Sequence, residues 1–304
     1  MNLLFIALFP PILWVLSDYF DKFYLNKFIK KSGGESVVFS TSLLSVIVLI
    51  FIGIFFPNSI SMTWTSILVL LISGIVTQAS FLIYIRALST DDVTTVVPLL
   101  QIVPIFSYVL GYYFLGEKLL PFQILAMALI IIGSIVLTLE FQEKKLRIKT
   151  KTLFYMILAS FISALGGLIF KLVANQENFL GANFWVYAGV ILMSALLLTS
   201  ITTYRKEFLS AWHTDWKTVL KLNFTIELLS IFAFTTFNFA LTKAPIALVT
   251  VLANGLQPVF ILIFGVLFGI FIPKFSNEKF STHQLVHKTL AIAVIVLGTF
   301  LLNK

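Results

Sequence analysis

Ten apolar stretches, each about 20 residues long, recur along the chain with the ionisable residues gathered mostly in the gaps between them. A helix of that length crosses the hydrocarbon core of a bilayer with every backbone N–H and C=O paired inside the segment, a condition that only helices and closed barrels meet. The pattern predicts an all-α, polytopic membrane protein. Composition agrees, because 59% hydrophobic and 11% charged residues leave too little polar surface to coat a water-soluble body of 304 residues.

The spans are expected at Leu3 to Lys22, Ser36 to Phe56, Trp64 to Arg86, Val93 to Phe114 and Leu120 to Leu139, then Leu153 to Leu172, Asn183 to Thr203, Thr218 to Leu241, Ile246 to Phe271 and Leu285 to Leu302. A charged linker, Glu140 to Lys151, separates the two fives, so residues 1–140 and 152–304 form two units joined by 141–151. The first stretch has no basic leader and runs into Asp18, Asp21 and Lys22 without a small-residue cleavage pattern, which identifies a span and not a removed signal peptide.

The net charge of +8 reflects topology. Of the 21 Lys and Arg residues only Lys118, Lys171, Lys243 and Lys304 fall on one side, and the other 17 fill the alternate loops. The positive-inside rule puts the rich side in the cytoplasm and both termini outside, in the cytoplasmic (inner) membrane. These bases sit in short turns without an aromatic-laced basic domain, so no nucleic acid partner is expected. With no cysteine there is neither a disulfide framework nor a thiolate site. His213, His283 and His287 lie in or beside loops without an obvious third ligand, and neither a metal nor another cofactor is expected.

The halves echo each other in sequence. Tyr84-Ile85-Arg86-Ala87-Leu88-Ser89, followed by Pro104 and Gly111, is answered by Asn238-Phe239-Ala240-Leu241-Thr242, Pro258 and Gly265. The proline and glycine pairs share an offset of 154 residues, and the alanines need one residue of slippage. An odd number of spans per copy makes the second enter the membrane from the opposite side, so the repeats are inverted. Two inverted halves around a central cavity can exchange conformations, which is a mechanism for alternating access.

Two five-helix halves, each with an Ala-Leu pair before a Pro-containing span, resemble the drug/metabolite transporter superfamily and specifically its EamA branch. In the first half the likeness continues through Gly116-Glu117-Lys118-Leu119 and a helix with Gln123 and Gly133. The second half departs from the pattern after its ninth span, where Phe271 to Lys279, with Glu278, stands in place of a glycine-glutamate pair. The resemblance implies a ten-helix carrier of small metabolites such as amino acids, with export the expected direction.

Candidate pathway residues are the polar and helix-breaking groups inside the spans. Pro98, Pro104 and Pro258 each remove a backbone donor and free a carbonyl, giving either a hinge or an ordinary tolerated kink. Gly111 and Gly265 suit close helix packing. Glu227 lies well inside the eighth span, with Asn223 and Ser230 on the same side. An ionised carboxylate there is costly unless paired or hydrated, so it faces a cavity, holds a proton or bridges helices. Asp18, Asp21 and Lys22 share a face at the end of the first span; Asp18 can pair with Lys22, as an interfacial anchor or a charged mouth. Gln78, Gln101, Asn238, Asn254 and Gln257 contribute amides that suit a polar solute or ordinary interhelical bonds. Tyr84 heads the aromatic candidates, with Tyr108, Tyr112, Tyr113, Trp14 and Trp185 behind it. Glu117 reads as a structural or gating group beside Gly116, and Arg86, Asp91 and Asp92 as a cluster at the third turn.

The expected function is secondary transport of a small polar solute in contact with membrane lipids. Coupling to protons or to a counter-solute, and the number of chains per carrier, stay open. No phosphate-binding loop supports ATP drive. The alternatives from other classes are a membrane-integral lipid-modifying enzyme, for which Asp91-Asp92 is a slight metal site, and a non-transporting receptor or assembly protein.

Overall fold

A computed structural model describes residues 3–28, 42–91, 93–138, 150–271 and 282–302, and these form helices and short connections without strands. The helices are α1 (Leu3–Phe28), α2 (Val46–Phe55), α3 (Trp64–Thr90), α4 (Val103–Leu115), α5 (Pro121–Thr138), α6 (Thr150–Ala174), α7 (Phe179–Ser200), α8 (Thr202–Leu241), α9 (Ile246–Gly255), α10 (Gln257–Phe271) and α11 (Thr282–Leu301). Among the described residues six helical segments are long and apolar enough to cross a membrane, Trp64–Thr90, Val97–Leu115, Thr150–Ala174, Phe179–Ser200, Trp212–Leu241 and Ile246–Gly269, and shorter apolar helices include Val46–Phe55 and Pro121–Leu137. The protein is a multi-pass membrane protein. Asp92, Glu278 and the side chains of His283 and His287 lie outside the described residues, as does most of the charged linker.

Three boundaries differ from the sequence reading, each for a local reason. The fourth span is a one-turn helix, Val93–Val96, a 3₁₀ segment, Val97–Ile102, and only then α4, because Pro98 and Pro104 withhold amide protons from the α ladder. The ninth span breaks at Leu256, two residues before Pro258. The basic stretch Tyr204 to Lys217, expected as a loop, is helical and continues into the eighth span across a kink at Asp215 (φ −160°, ψ 73°). There the Asp215 carboxylate accepts the Thr218 N–H at 3.1 Å and caps the membrane segment as an N-cap aspartate does.

Contacts at the helix termini fix which way the helices run. Lys22 near the end of α1 donates to the carbonyls of Leu88 and Asp91 at 2.9 Å each, so α1 and α3 finish at the same end of the bundle. Thr152 at the start of α6 bonds Thr90 and Asp91, and Asp215 in α8 lies 3.7 Å from Lys27. The membrane parts of α6 and α8 therefore start where α1 and α3 stop. α3 packs on α6 and α7, α1 on α8, α4 on α6 and α9, α5 on α11, and α2 on α7.

Hydrocarbon provides no hydrophobic drive between such helices, so close approach depends on small residues. A Cβ on Gly74 of α3 would stand 2.0 Å from the Val186 carbonyl oxygen, and one on Gly189 of α7 would stand 2.2 Å from the Leu71 oxygen. On the other side of α3, Ser73 and Ser80 donate to the Gly166 and Ala159 carbonyls of α6 at 3.0 and 2.8 Å. α3 is thereby held against α7 by backbone-to-backbone contact and against α6 by serine hydroxyls on its carbonyls. Gly133 repeats the device at the α5–α11 seam, against Ile295 and the Ala291 oxygen.

Gly74→Val or Gly189→Val is expected to cost about 1–3 kcal/mol or more, as overpacking against an immovable backbone does, and to lower the unfolding midpoint of the detergent-solubilised protein. Gly53→Ala, with nothing within 4 Å of its added Cβ, is expected to keep that midpoint or raise it slightly, as removing a helix glycine does. Equal midpoints for all three variants would contradict the packing described.

Candidate functional site

Between the two sets of helices lies a cavity of about 230 Å³, smaller than the ~300–1,000 Å³ of drug-sized sites and so suited to a small solute. Along α3 the order is Leu70 in one apolar cluster, Gln78 on the cavity wall, then Ile85 and Leu88 in a second cluster. Of the candidate pathway residues, Asp18, Gln78, Tyr84, Glu227, Asn238, Asn254 and Gln257 line it. Gln101, Pro104, Asn223 and Pro258 do not, although all four are buried.

The lining is a set of interhelical bonds. Tyr84 of α3 donates to Asp18 of α1 at 2.7 Å, and Ser45, just before α2, donates to Glu227 of α8. Gln78 of α3 donates to Ser42 at 2.5 Å and to Ser194 of α7 at 2.9 Å. Asn238 of α8 donates to Asn183 of α7 at 2.9 Å, and Ser17 of α1 meets Ser230 of α8 at 3.2 Å. Each bond ties two helices, and a polar side chain without such a partner is costly where no water reaches it. Trp14 also lines the chamber. Tyr112 and Tyr113, at 45% and 76% exposure, point outward instead, and Trp185 donates to the Ile60 carbonyl at 3.0 Å.

Gln101 makes an interhelical bond, the second of its two readings. Pro258 lacks the N–H that would otherwise bond the Asn254 carbonyl in an α ladder, and Gln101 supplies that donor from the facing 3₁₀ segment at 2.7 Å. Ser134 of α5 likewise bonds the next carbonyl, Gly255, at 2.6 Å. The interruption between α9 and α10 is held open by side chains from the first half of the chain.

At the end of the bundle opposite Asp91 and Thr152, Gly116 (φ +66°) ends α4 in the left-handed conformation and turns the chain so that Glu117 folds back. One Glu117 oxygen accepts the N–H of Ile246 at the start of α9 at 2.8 Å, and the other pairs with Lys171 of α6 at 2.6 Å. Lys171 also donates to the Ala244 carbonyl. One carboxylate and one ammonium thus join α4, α6 and α9 across the two halves, and both are largely shielded, at 15% and 7% exposure. Gly111 presses on Ile246 and Glu117 at the same point. At the other end, Arg86 donates to the Tyr204 hydroxyl at 2.6 Å.

Sequence reasoning misses several wall residues. Asp21, read with Asp18 and Lys22 as an interfacial anchor or a charged mouth and not among the pathway candidates, is 1% exposed and lines the cavity. Tyr187, which donates to the Ile231 carbonyl at 3.2 Å, and the hydroxyls of Ser42, Ser45 and Ser73 give no signal beyond their polarity within apolar runs.

Known proteins share parts of this arrangement. Residues 2–139 match the EamA-like transporter family. A stretch of 75 residues, 25% of the chain, is 40% identical to a protein of Sinorhizobium sp. described as an "Uncharacterized transporter in cobO 3'region", and the chain spans about half, 51%, of that relative's length. A solved crystal structure of a protein at 15% sequence identity superposes with a TM-score of 0.65 over 98% of this chain and 94% of the other, a likeness of fold. The EamA-like match contains the Gly116-Glu117 turn and the Asp18, Asp21, Gln78 and Tyr84 wall.

Glu117→Ala is expected to cost about 3–5 kcal/mol, because it strands the shielded Lys171 ammonium and the Ile246 N–H together. Adding Lys171→Met should restore much of that loss. A double-mutant cycle on the unfolding midpoint checks this, and strictly additive effects would show that the pair is not coupled.

Proposed function

We propose that the protein is a secondary carrier of small polar solutes, built from two five-helix halves in opposite orientation and working by alternating access. The observation that carries this reading is that the main helix pairings keep their partners when the two fives are exchanged, although α7 on α8 and α5 on α9 are not matched to the same extent. α1 on α8 becomes α6 on α3, and α1 on α9 and α10 becomes α6 on α4. α5 with α11, α4 with α9 and α2 with α7 map onto themselves. α3 on α7 is answered by α8 against the 3₁₀ turn Leu43–Ser45 that precedes α2. Opposite polarity of the halves is supported by the termini, since α1 and α3 stop where α6 and the membrane part of α8 start.

Such an arrangement can interconvert two equivalent asymmetric packings around one site. The Glu117–Lys171 pair serves in this reading as the closed gate of one state, because it fastens the first half to the second at one end of the chamber. The end that carries Lys22, Lys27, Arg86, Lys151, Arg205 and Lys217 faces the cytoplasm on charge grounds, and the Glu117 end faces outward. The EamA-like match of the first half favours transport over a lipid-modifying or receptor role, with export of metabolites such as amino acids the direction proposed. The membrane is the cytoplasmic one.

The chain has no cysteine, which permits a clean trap. In proteoliposomes, saturable counterflow of a labelled polar solute is expected, with Gly111→Cys plus Ile246→Cys arresting it on oxidation and releasing it on reduction. Absence of exchange for every amine and amino acid tried would overturn the carrier reading. Full-rate exchange by the cross-linked protein would overturn the gate.

A further inference from the structure

The chamber's polar wall is lopsided. Three carboxylates line it, Asp18 and Asp21 one helical turn apart on α1 and Glu227 facing them from α8, and among the described lining residues there is no Lys or Arg. An acidic cluster alone does not define a ligand, but the hydrogen-bond accounting does. The Asp21 Oδ1 and, outside the acidic cluster, the Gln257 Oε1 are buried without a hydrogen-bond partner, and each belongs to a residue 1% exposed that lines the cavity.

Both orphan atoms are acceptors. Four of the wall's donors are already committed: Gln257 Nε2 to Asn254 Oδ1 at 3.3 Å, the Tyr84 hydroxyl to Asp18, the Ser45 hydroxyl to Glu227, and Asn238 Nδ2 to Asn183. The two orphan acceptors call for a donor, and a group that only donates while carrying positive charge is an ammonium. Aromatic faces complete the match. Trp14 packs on Phe237 at 5.3 Å and Phe81 stacks on Tyr84 at 6.1 Å, all four on the wall, and such rings attract cations where water is scarce. A carboxylate or phosphate on the solute would meet three acidic side chains and, among the described lining residues, no basic one.

We infer that the solute bound in this chamber is a small organic amine in its ammonium form, held between Asp21, Glu227 and Gln257 with its carbon skeleton against the aromatic wall. That this ligand is the cargo rests on the carrier reading above.

Calorimetric titration of the purified full-length chain with phenylethylamine, 1,4-diaminobutane, phenylalanine and phenylpropionate tests it. At least one amine is expected to bind ten-fold or more tightly than the zwitterion, phenylpropionate is expected not to bind, and Asp21→Asn and Gln257→Leu are each expected to weaken the amine ten-fold or more. The unliganded unfolding midpoint of each variant serves as the folding control, and Glu227→Gln stands in for either that fails it. Binding of phenylalanine or phenylpropionate as tight as that of both amines, no binding of either amine, or undiminished amine affinity in all well-folded variants would each overturn the assignment. Counterflow in vesicles separates the two readings: exchange of phenylalanine without amine binding overturns the amine assignment and leaves the carrier standing. Amine binding with no exchange of any solute supports the ligand and overturns the carrier.

Discussion

The structure depends on one constraint: inside a bilayer no water is available to satisfy a polar group, so each must find its partner within the protein. Backbone groups meet it by forming helices. Where prolines break the helices, neighbouring side chains meet it, as Gln101 and Ser134 do for the Asn254 and Gly255 carbonyls. Side chains meet it by gathering inward, and the bonds Tyr84–Asp18, Ser45–Glu227, Gln78–Ser194 and Asn238–Asn183 knit five of the elements around one chamber. Small residues then set the spacing, because Gly74 and Gly189 let α3 and α7 touch at the backbone. Chamber and bundle are consequences of the same rule.

The chamber and the fastening at its end suit each other mechanically. Glu117 and Lys171 are a compact ionic contact between halves, whereas the breaks near Pro98 and Pro258 lie deeper, where α4 and α9 meet. A charge pair that is shielded when closed and hydrated when parted loses Coulomb attraction and regains solvation together, so opening need not carry a large net cost. Packed interfaces with two discrete arrangements are what alternating access requires. The inner wall leaves the Asp21 and Gln257 acceptors without partners, which is what the proposed amine would meet.

Much of this is legible in the sequence because the membrane rule is severe. About 20 apolar residues per helix locate most spans, and the cost of burying Glu227, Gln78 and Asn238 is enough to mark them as inward-facing. The Gly116-Glu117 turn is legible as a structural or gating element, though Lys171 as its partner is not, since pairing between distant helices leaves no local trace. That Gln101 bonds the Asn254 carbonyl is not legible, because a proline's missing N–H is visible in sequence while the residue that replaces it, more than 150 positions away, is not. The place of Asp21 near Lys22 at a helix end hides its inward aim. Charges in the segment from Tyr204 to Lys217 interrupt the apolar run and suggest a loop, yet charge does not stop a helix at the membrane surface.

The central claim is that the two halves face opposite ways across the membrane around one chamber. Asp91 lies at the turn after α3 and Lys243 at the turn after α8, which the proposed repeat makes corresponding turns of the two halves. Single-cysteine variants at each, Asp91→Cys and Lys243→Cys, can be labelled with a membrane-impermeant maleimide in intact cells, without background from native thiols. The account predicts labelling of Lys243→Cys from outside and protection of Asp91→Cys until the cells are opened. Labelling of both from the same side would contradict it.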